Sequence, residues 1–562
     1  MHIKRFFILF IFISASIIST AQEKLIYTNP ILAGFYPDPS IVRAGDDYYL
    51  TTSTFAYFPG LPIFHSKDLV NWQLVGHAMD RNEQLDLKGA GVSRGLFAPA
   101  IKFHKGVFYI TCTLVDKGGN FIITATDPRG PWSNPVWLPK ISGIDPSLYF
   151  DEDGKMYIIY NSEPPNNKTL YDGHRTIRMW ELNSQTFEAT GEEILVINGG
   201  TDISKKPVWI EAPHIINKDG WYYLICAEGG TAYNHSEVVF RSKQATGPYV
   251  SYENNPILTQ RHLDRKRPFP VTTTGHADFV QAPNGDWYAV FLGCRPYEGE
   301  FFNIGRETFM TPVEWKDGWP LINPGFETVQ YRYPVPSPGI TQTVNNPFSG
   351  NYSFEHDFKR DGFNQRFIFL RNPTEGLYTT GKKGLSLPLK PVTVSGNKNP
   401  AFAGFRQAHH QGYAQTLMDF KPENENEKAG LLIFQNEQHY YFLARTIKNG
   451  KPFIELIQSA GKEGSGETVI ASQELRSFKK PLQLKIEANG NSYAFYFAEK
   501  NKPYQLLKDN VDARFLSTAT AGGFVGSLFA LYGTSNGQST RNAAHFRWFK
   551  YKGDDEVYRK VD

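Results

Sequence analysis

Cysteine is nearly missing: Cys112, Cys226 and Cys294 are the only three in 562 residues. Three thiols, each in or beside an apolar strand-like run, cannot form a disulfide framework and read as small buried core residues. Charge bias is missing too. The chain has 59 basic and 56 acidic residues, a formal net charge of +3, and only 20% charged residues. With no Lys/Arg stripe, nucleic acid is excluded as a partner, and a neutral ligand fits better. Beyond the N-terminus no apolar run approaches membrane length, so membrane insertion is not expected. There is no long amphipathic helix pattern, phosphate-binding glycine loop or serine nucleophile elbow. His409-His410 has no Cys or further His at ligand spacing, which argues against zinc.

What is present begins with an export signal. Lys4 and Arg5 precede an apolar stretch at residues 6–18, and Ser19-Thr20-Ala21 forms an A-x-A-like cleavage site before Gln22. The expected mature protein starts near Gln22 and is periplasmic or secreted. At this length two sizeable cores are expected, and a 15% aromatic content suits strands and aromatic-lined sites.

A fivefold repeat fills the first 340 residues. GDDYYLTTS, KGVFYITCT, DGKMYIIYN, DGWYYLICA and NGDWYAVFL share a polar turn, a tyrosine and an apolar strand. The common tyrosines are Tyr49, Tyr109, Tyr157, Tyr223 and Tyr288. Each follows a second strand signal: DPSIVR, APAIKF, DPSLYF, APHIIN or HADFVQ. Such pairs read as β-hairpins, and further strand-like runs complete about four strands per unit, the signature of a five-bladed β-propeller. Tyr333-Pro334-Val335-Pro336-Ser337-Pro338 reads as a stiff linker. Beyond it, alternating strands without the repeat suggest a jelly-roll-like β-sandwich. The expected division is a signal peptide at 1–21, a propeller at 22–335, a linker at 336–351 and a sandwich at 352–562, all-β throughout.

The first strand of every propeller blade lines the axis. Counting back eleven or twelve residues from each tyrosine gives Asp38, the Phe97/Ala98 pair, Asp145, Glu211 and His276. These positions are expected to face one another across one end of the channel. Clustered carboxylates raise one another's pKa, an expense usually tolerated where the groups work. Glycoside hydrolysis needs such a set: one protonated acid and one ionised base, with a third group to orient and tune them. The plainer reading, in which Asp38 and Asp145 before Pro-Ser merely start turns, explains each alone but not three at matched positions.

At these motifs the chain resembles glycoside hydrolase family 43, in the β-xylosidase and α-L-arabinofuranosidase branch with an appended sandwich. The resemblance runs through NPILAGFYPDPSIVRAGDDYYLTTSTFAYFPGLPIFHSKDLVNW, GIDPSLYFDEDGK, EAPHIINKDGWYYLICAEGGT, GHADFV, LGCRP and GRETFMTPVEWKDGWP. It implies an inverting mechanism with Asp38 as general base, Glu211 as general acid and Asp145 orienting the acid and modulating its pKa. The family's usual acid motif has Gly where this chain has Ala212. Arg295 in GCRP looks like the arginine that pairs with the third carboxylate and contacts the sugar; otherwise it is an ordinary surface arginine. His276 looks like the family's axial histidine, a contact for substrate, water or metal, or else a structural group. Phe55 resembles the aromatic floor of the sugar pocket. Phe97 stands where such β-xylosidases carry Trp, which leaves the pentose open; the bland reading for both is propeller core. Phe524 and Phe529 in GGFVGSLFALYG are both candidates for a sandwich residue that closes the pocket.

The expected activity is exo-acting release of terminal β-D-xylose from an oligosaccharide or polysaccharide, with α-L-arabinofuranose second. Alternatives are a non-catalytic carbohydrate-binding propeller and an endo-acting arabinanase. No cofactor is required; the resemblance leaves room for a structural calcium in the channel, and nothing fixes the oligomeric state.

Overall fold

The structure, a computed structural model, describes residues 25–336, 339, 344–345, 347–462 and 466–559. The expected signal peptide and part of the expected linker lie outside the described residues. Strands dominate; the two α-helices among the described residues, Phe358–Asp361 and Thr518–Ala521, have four residues each. No described helix is long and apolar enough to cross a membrane.

Five antiparallel sheets follow one another in sequence. Their first strands are Ser40–Ala44, Leu96–His104, Ile144–Phe150, Glu211–Lys218 and Thr272–Gln281, and each pairs with the strand bearing the repeat tyrosine. Blades I, II, III and V have four strands each, and blade IV carries an extra short one. Local chemistry sets the hairpins. At Lys105-Gly106 and Asp219-Gly220 both residues have positive φ, as a two-residue turn matched to strand twist requires.

The ring closes through polar contacts between neighbouring blades. Ile101 N–H donates to Ser40 Oγ, which donates to Asp278 Oδ2 at 2.7 Å, joining blades I, II and V. Thr111 donates to the Pro146 carbonyl, Ser147 to the Pro213 carbonyl, and Ala277 N–H to Glu237, completing the circuit through blades III and IV. Ser40 and Asp278 are 238 positions apart yet adjacent, so the five sheets form a closed propeller.

The second body is two antiparallel sheets. One runs Thr379–Gly381, Gly384–Pro388, Ala543–Gly553, Gln411–Asp419, Leu482–Asn489, Ser492–Glu499 and Gln505–Asp512, with Ser353–Asp357 also paired to Ala543–Gly553. The other runs Ala401–Arg406, Leu528–Thr534, Lys428–Asn436, His439–Lys448, Lys451–Ser459 and Glu467–Glu474. Period-two burial builds its core: Leu482, Leu484, Ile486 and Ala488 face inward, opposite exposed or half-buried neighbours.

The two bodies are welded together. Phe369 and Leu370 pair as a strand with Phe58 and Tyr57, and Arg406 donates to the Phe35 carbonyl at 2.8 Å. One apolar cluster joins Phe35, Phe55 and Tyr57 of blade I to Phe402, Leu432 and Tyr532 of the sandwich. All three cysteines are buried and free, as their apolar surroundings predicted.

Candidate active site

The blades superimpose by register. Each repeat tyrosine pairs with the residue four places after a matched inner-strand position: Val42, Lys102, Tyr149, Ile216 and Val280. The matched positions are therefore Asp38, Ala98, Asp145, Ala212 and His276. All five have positive φ, between 21° and 56°. In blades II to V, a register shift beside this position marks a bulge that re-aims the side chains. Blade IV departs from the expected equivalence. Ala212 occupies the matched position, and Glu211 reaches the site from the residue before it.

One cavity of about 320 Å³ sits at this end of the axis. It is lined by Asp38, Asp145, Glu211, His276, Arg306, Phe55, Phe97 and Phe524, with Trp209, Thr231 and His235 among the rest. That volume is at the small end for ligand pockets (roughly 300–1,000 Å³), suited to one sugar and the start of a second. Asp38, Asp145 and Glu211 are 6%, 7% and 5% exposed.

Ser53 Oγ donates to Asp38 Oδ2 at 2.6 Å, and His276 Nδ1 lies 3.7 Å from the other Asp38 oxygen. Burial lowers the His276 pKa below its ordinary value, so the ring is neutral at pH 7. Ala212 N–H donates to Asp145 Oδ2 at 3.3 Å, linking the third carboxylate to the segment that carries Glu211. Burial pushes Asp145 well above the usual carboxylate range, and the charges of Glu211 and Asp38 add to it. Burial likewise pushes Glu211 up to about 7, against the pull of Arg306 and with Asp38 adding to the rise. Both carboxyls are therefore pushed toward the protonated form. The site thus holds a proton donor beside a second carboxylate anchored on another blade. That is what acid- and base-assisted cleavage of an acetal requires.

The aromatic wall joins both bodies. Phe55 stacks on Phe524 at 5.8 Å and meets Phe97 edge-on at 5.1 Å. Phe524 N–H donates to Ser93 Oγ at 2.9 Å, and its ring lies 5.0 Å from the Arg306 guanidinium. Close backbone approach makes this contact: a Cβ on Gly526 would stand 2.5 Å from the Ile304 carbonyl oxygen. Of the two sandwich phenylalanines, Phe524 lines the cavity. Phe529 does not. It is 1% exposed in the strand Leu528–Thr534, where alternation turns its ring into the core.

Arg295 also lies elsewhere. It follows the strand Trp287–Cys294 and does not line the cavity; it bonds Glu307 through Nε and Nη2 and Asp555 through Nη1 at 2.9 Å. The guanidinium in the cavity is Arg306, whose Nη2 donates to the Thr231 carbonyl at 2.7 Å. Sequence reading missed Arg306, although it lies within GRETF. Eleven residues separate the two arginines, and only the chain's course after the strand distinguishes them. Trp209 was missed because the repeat says nothing about residues before the inner strands. His409 is structural, bonded to Tyr551 Oη and the Gly350 carbonyl. Glu228 accepts from Thr201 N–H and Oγ1, bracing a loop beside the cavity.

Asp145, Glu211 and His276 place ligand-type atoms within 4.8 Å of one another. Two carboxylates and an imidazole fall short of the six to eight oxygens that calcium takes. Deeper in the channel, Lys102 Nζ lies 3.5 Å from Asp278 and already supplies its counter-charge. The protein side chains therefore supply at most part of a calcium shell, the remainder of which would fall to water.

The Glycosyl hydrolases family 43 profile matches residues 27–320, and a β-xylosidase C-terminal concanavalin A-like domain matches 355–552. The chain belongs to glycosyl hydrolase family 43. The xylosidase/arabinosidase of Butyrivibrio fibrisolvens is 38% identical over 93% of this chain and 99% of its own. The non-reducing end α-L-arabinofuranosidase of Bacteroides ovatus is 36% identical over 95% of this chain and 96% of its own. A family 43 structure from a capybara gut metagenome superposes with a TM-score of 0.85 at 38% identity, covering 92% of this chain and 96% of that one. The five-bladed propeller with its β-sandwich is thus the shared family 43 architecture, and hydrolysis of O-glycosidic bonds is its chemistry.

Proposed function

We propose that the protein is an exo-acting, inverting glycosidase that releases terminal, non-reducing β-D-xylose from xylo-oligosaccharides or a xylose-containing polysaccharide. The observation that carries this reading is the small cavity. It is walled by Phe55, Phe97 and the sandwich's Phe524, and Glu211 holds its proton up to about pH 7. Glu211 donates that proton to the leaving oxygen. Asp38, oriented by Ser53, takes a proton from the attacking water on the other side of the sugar. Asp145 holds the Glu211 segment through Ala212 N–H, while burial and the Asp38 charge keep the acid's pKa high. Arg306 and neutral His276 offer hydrogen bonds to the sugar hydroxyls.

α-L-Arabinofuranoside hydrolysis is the second reading. Phe97 favours it, because a phenyl ring leaves more room than an indole, and so does the similarity to the Bacteroides ovatus α-L-arabinofuranosidase. Paired kinetics on the two 4-nitrophenyl pentosides, with product anomers followed by NMR, test both. Faster arabinofuranoside turnover by orders of magnitude reverses the order, and retained configuration removes the inverting assignment. A non-catalytic carbohydrate-binding propeller has no use for a buried acid poised near neutrality. It predicts no turnover and unchanged sugar binding in Glu211→Ala. From the residue pattern at 1–21 we further propose export to the periplasm or medium, tested by N-terminal sequencing of the mature protein.

A further inference from the structure

The acid side of the cavity has a built rim whose parts the reaction described above leaves unused. Val208 and Trp209 stop one residue short of the strand that begins at Glu211, and both line the cavity. Val208 is 44% exposed and Trp209 half-buried, an apolar surface at the mouth rather than in the core. Trp209 has φ +57°, a backbone conformation that costs a bulky residue energy and persists only when its surroundings enforce it. They do. Trp209 N–H donates to the Gly173 carbonyl at 2.7 Å, and the Val208 carbonyl accepts from Gly229 N–H at 2.8 Å and Gly230 N–H at 3.1 Å.

One face of the indole is covered by Arg175, whose guanidinium carbon lies 4.5 Å from the ring centre. Arg175 is buried, bonded to Asn161 Oδ1 through Nη2 at 3.0 Å and paired with Glu163. Asn161 in turn donates to the carbonyl of Ile210, the residue before Glu211. The indole thus reaches the acid twice: directly, by a side-chain hydrogen bond to the Glu211 carboxylate, and through Arg175 and Asn161 to the backbone that aims it. The leaving sugar must depart on the acid's side of the scissile bond, and this is the apolar surface that lies there.

We propose that Trp209 is the platform on which the leaving sugar stacks, and that Arg175 behind it is a positioning residue that couples the occupied platform to Glu211. Sugar C–H faces pack on aromatic faces, and the cation on the far side of the ring fixes its tilt. The inference rests on Glu211 being the acid of a pentosidase. The groups facing Glu211 are Asp38 from blade I, Asp145 and Arg175 from blade III, Glu237 from blade IV, and His276 and Arg306 from blade V. Arg175 and Arg306 are the cations among them, and both hold its pKa down.

Kinetics with two substrates test the platform: xylobiose, which has a leaving sugar, and β-D-xylosyl fluoride, which has none. Trp209→Ala is expected to lower kcat/KM on xylobiose about tenfold or more, Trp209→Phe to recover much of that, and the fluoride to change less than about threefold. Equal losses on both substrates overturn the platform. For Arg175, the pH profile decides. Arg175→Met is expected to move the basic limb of kcat/KM upward by at least about half a pH unit, with Arg175→Lys restoring it. An unmoved limb overturns the coupling. If wild-type protein hydrolyses neither xyloside, the xylosidase reading fails first. Arabinofuranosyl fluoride and an arabinofuranosyl-xylose then apply the same test to Trp209.

Discussion

Arg295 and Arg306 lie on one blade, eleven residues apart, in regions built for opposite purposes. At the seam between propeller and sandwich, Arg295 is 2% exposed and spends its donors on Glu307, Asp555 and the Ala408 carbonyl. Glu307 also accepts from Gly34 N–H, and Asp555 from Gln411 N–H, so the seam's charges are paired and hydrogen-bonded. At the axial cavity the carboxylates outnumber the cations, and Asp145 and Glu211 are both driven above their ordinary pKa. Paired buried charge holds the two bodies together, whereas the surplus in the cavity is kept for a ligand. A satisfied network is costly to break, and an unsatisfied one is costly to keep.

The widest test of that difference is Glu211→Gln. Loss of a general acid should lower kcat/KM on xylobiose about 10²- to 10⁴-fold. The melting temperature should hold or rise, because a neutral amide replaces a carboxyl that burial disfavours when charged. A marked fall in melting temperature would mean that the cavity carboxylates are structural after all. The pH profile carries the same contrast. The acid must be protonated to act, so kcat/KM should decline as pH rises through about 7, the value to which burial lifts Glu211. Arg306 draws that value down, so Arg306→Met should move the basic limb upward.

The arginines themselves come next. Arg295→Met strands two buried carboxylates and should cost about 3–5 kcal/mol in urea or thermal unfolding, with turnover by the folded fraction little altered. Arg306→Met should leave stability nearly intact and lower kcat/KM roughly ten- to a hundredfold, the loss of a charged hydrogen bond to substrate. An interchange of the two outcomes would place the functional arginine at the seam.

That pair also shows where sequence reading stopped. The fivefold repeat was legible because each blade reuses one hairpin, so Tyr49, Tyr109, Tyr157, Tyr223 and Tyr288 mark equivalent strands. Equivalence in a closed ring then brings Asp38, Asp145 and His276 together without any knowledge of side chains. Glu211 arrived by a near miss. Turn length varies between blades, and counting back from Tyr223 lands one residue early, where the bulge at Ala212 turns the glutamate inward. Residues outside the repeat had no such rule. Which side of a strand end Arg295 takes depends on Asp555, 260 positions away. Trp209 depends on carbonyl and amide partners at Gly173, Gly229 and Gly230.

The smallest effect should come from Phe524, and its contrast with Phe529 separates a wall from a core. Phe529 is enclosed among Phe405, Leu531 and Tyr551, so Phe529→Ala opens a cavity and should cost about 3–5 kcal/mol of stability. Phe524 is only partly buried and stacks on Phe55 at the cavity's edge. Its removal takes one aromatic face from the sugar, worth about 0.5–1.5 kcal/mol, so Phe524→Ala should raise KM several-fold. Stability should fall less than in Phe529→Ala, because the ring leaves space that is already open to solvent. Isothermal titration with D-xylose, alongside chemical unfolding of both variants, reads the two quantities separately. Equal xylose affinity in Phe524→Ala and wild type would reduce the sandwich to a brace for the propeller; weaker binding makes it part of the active site.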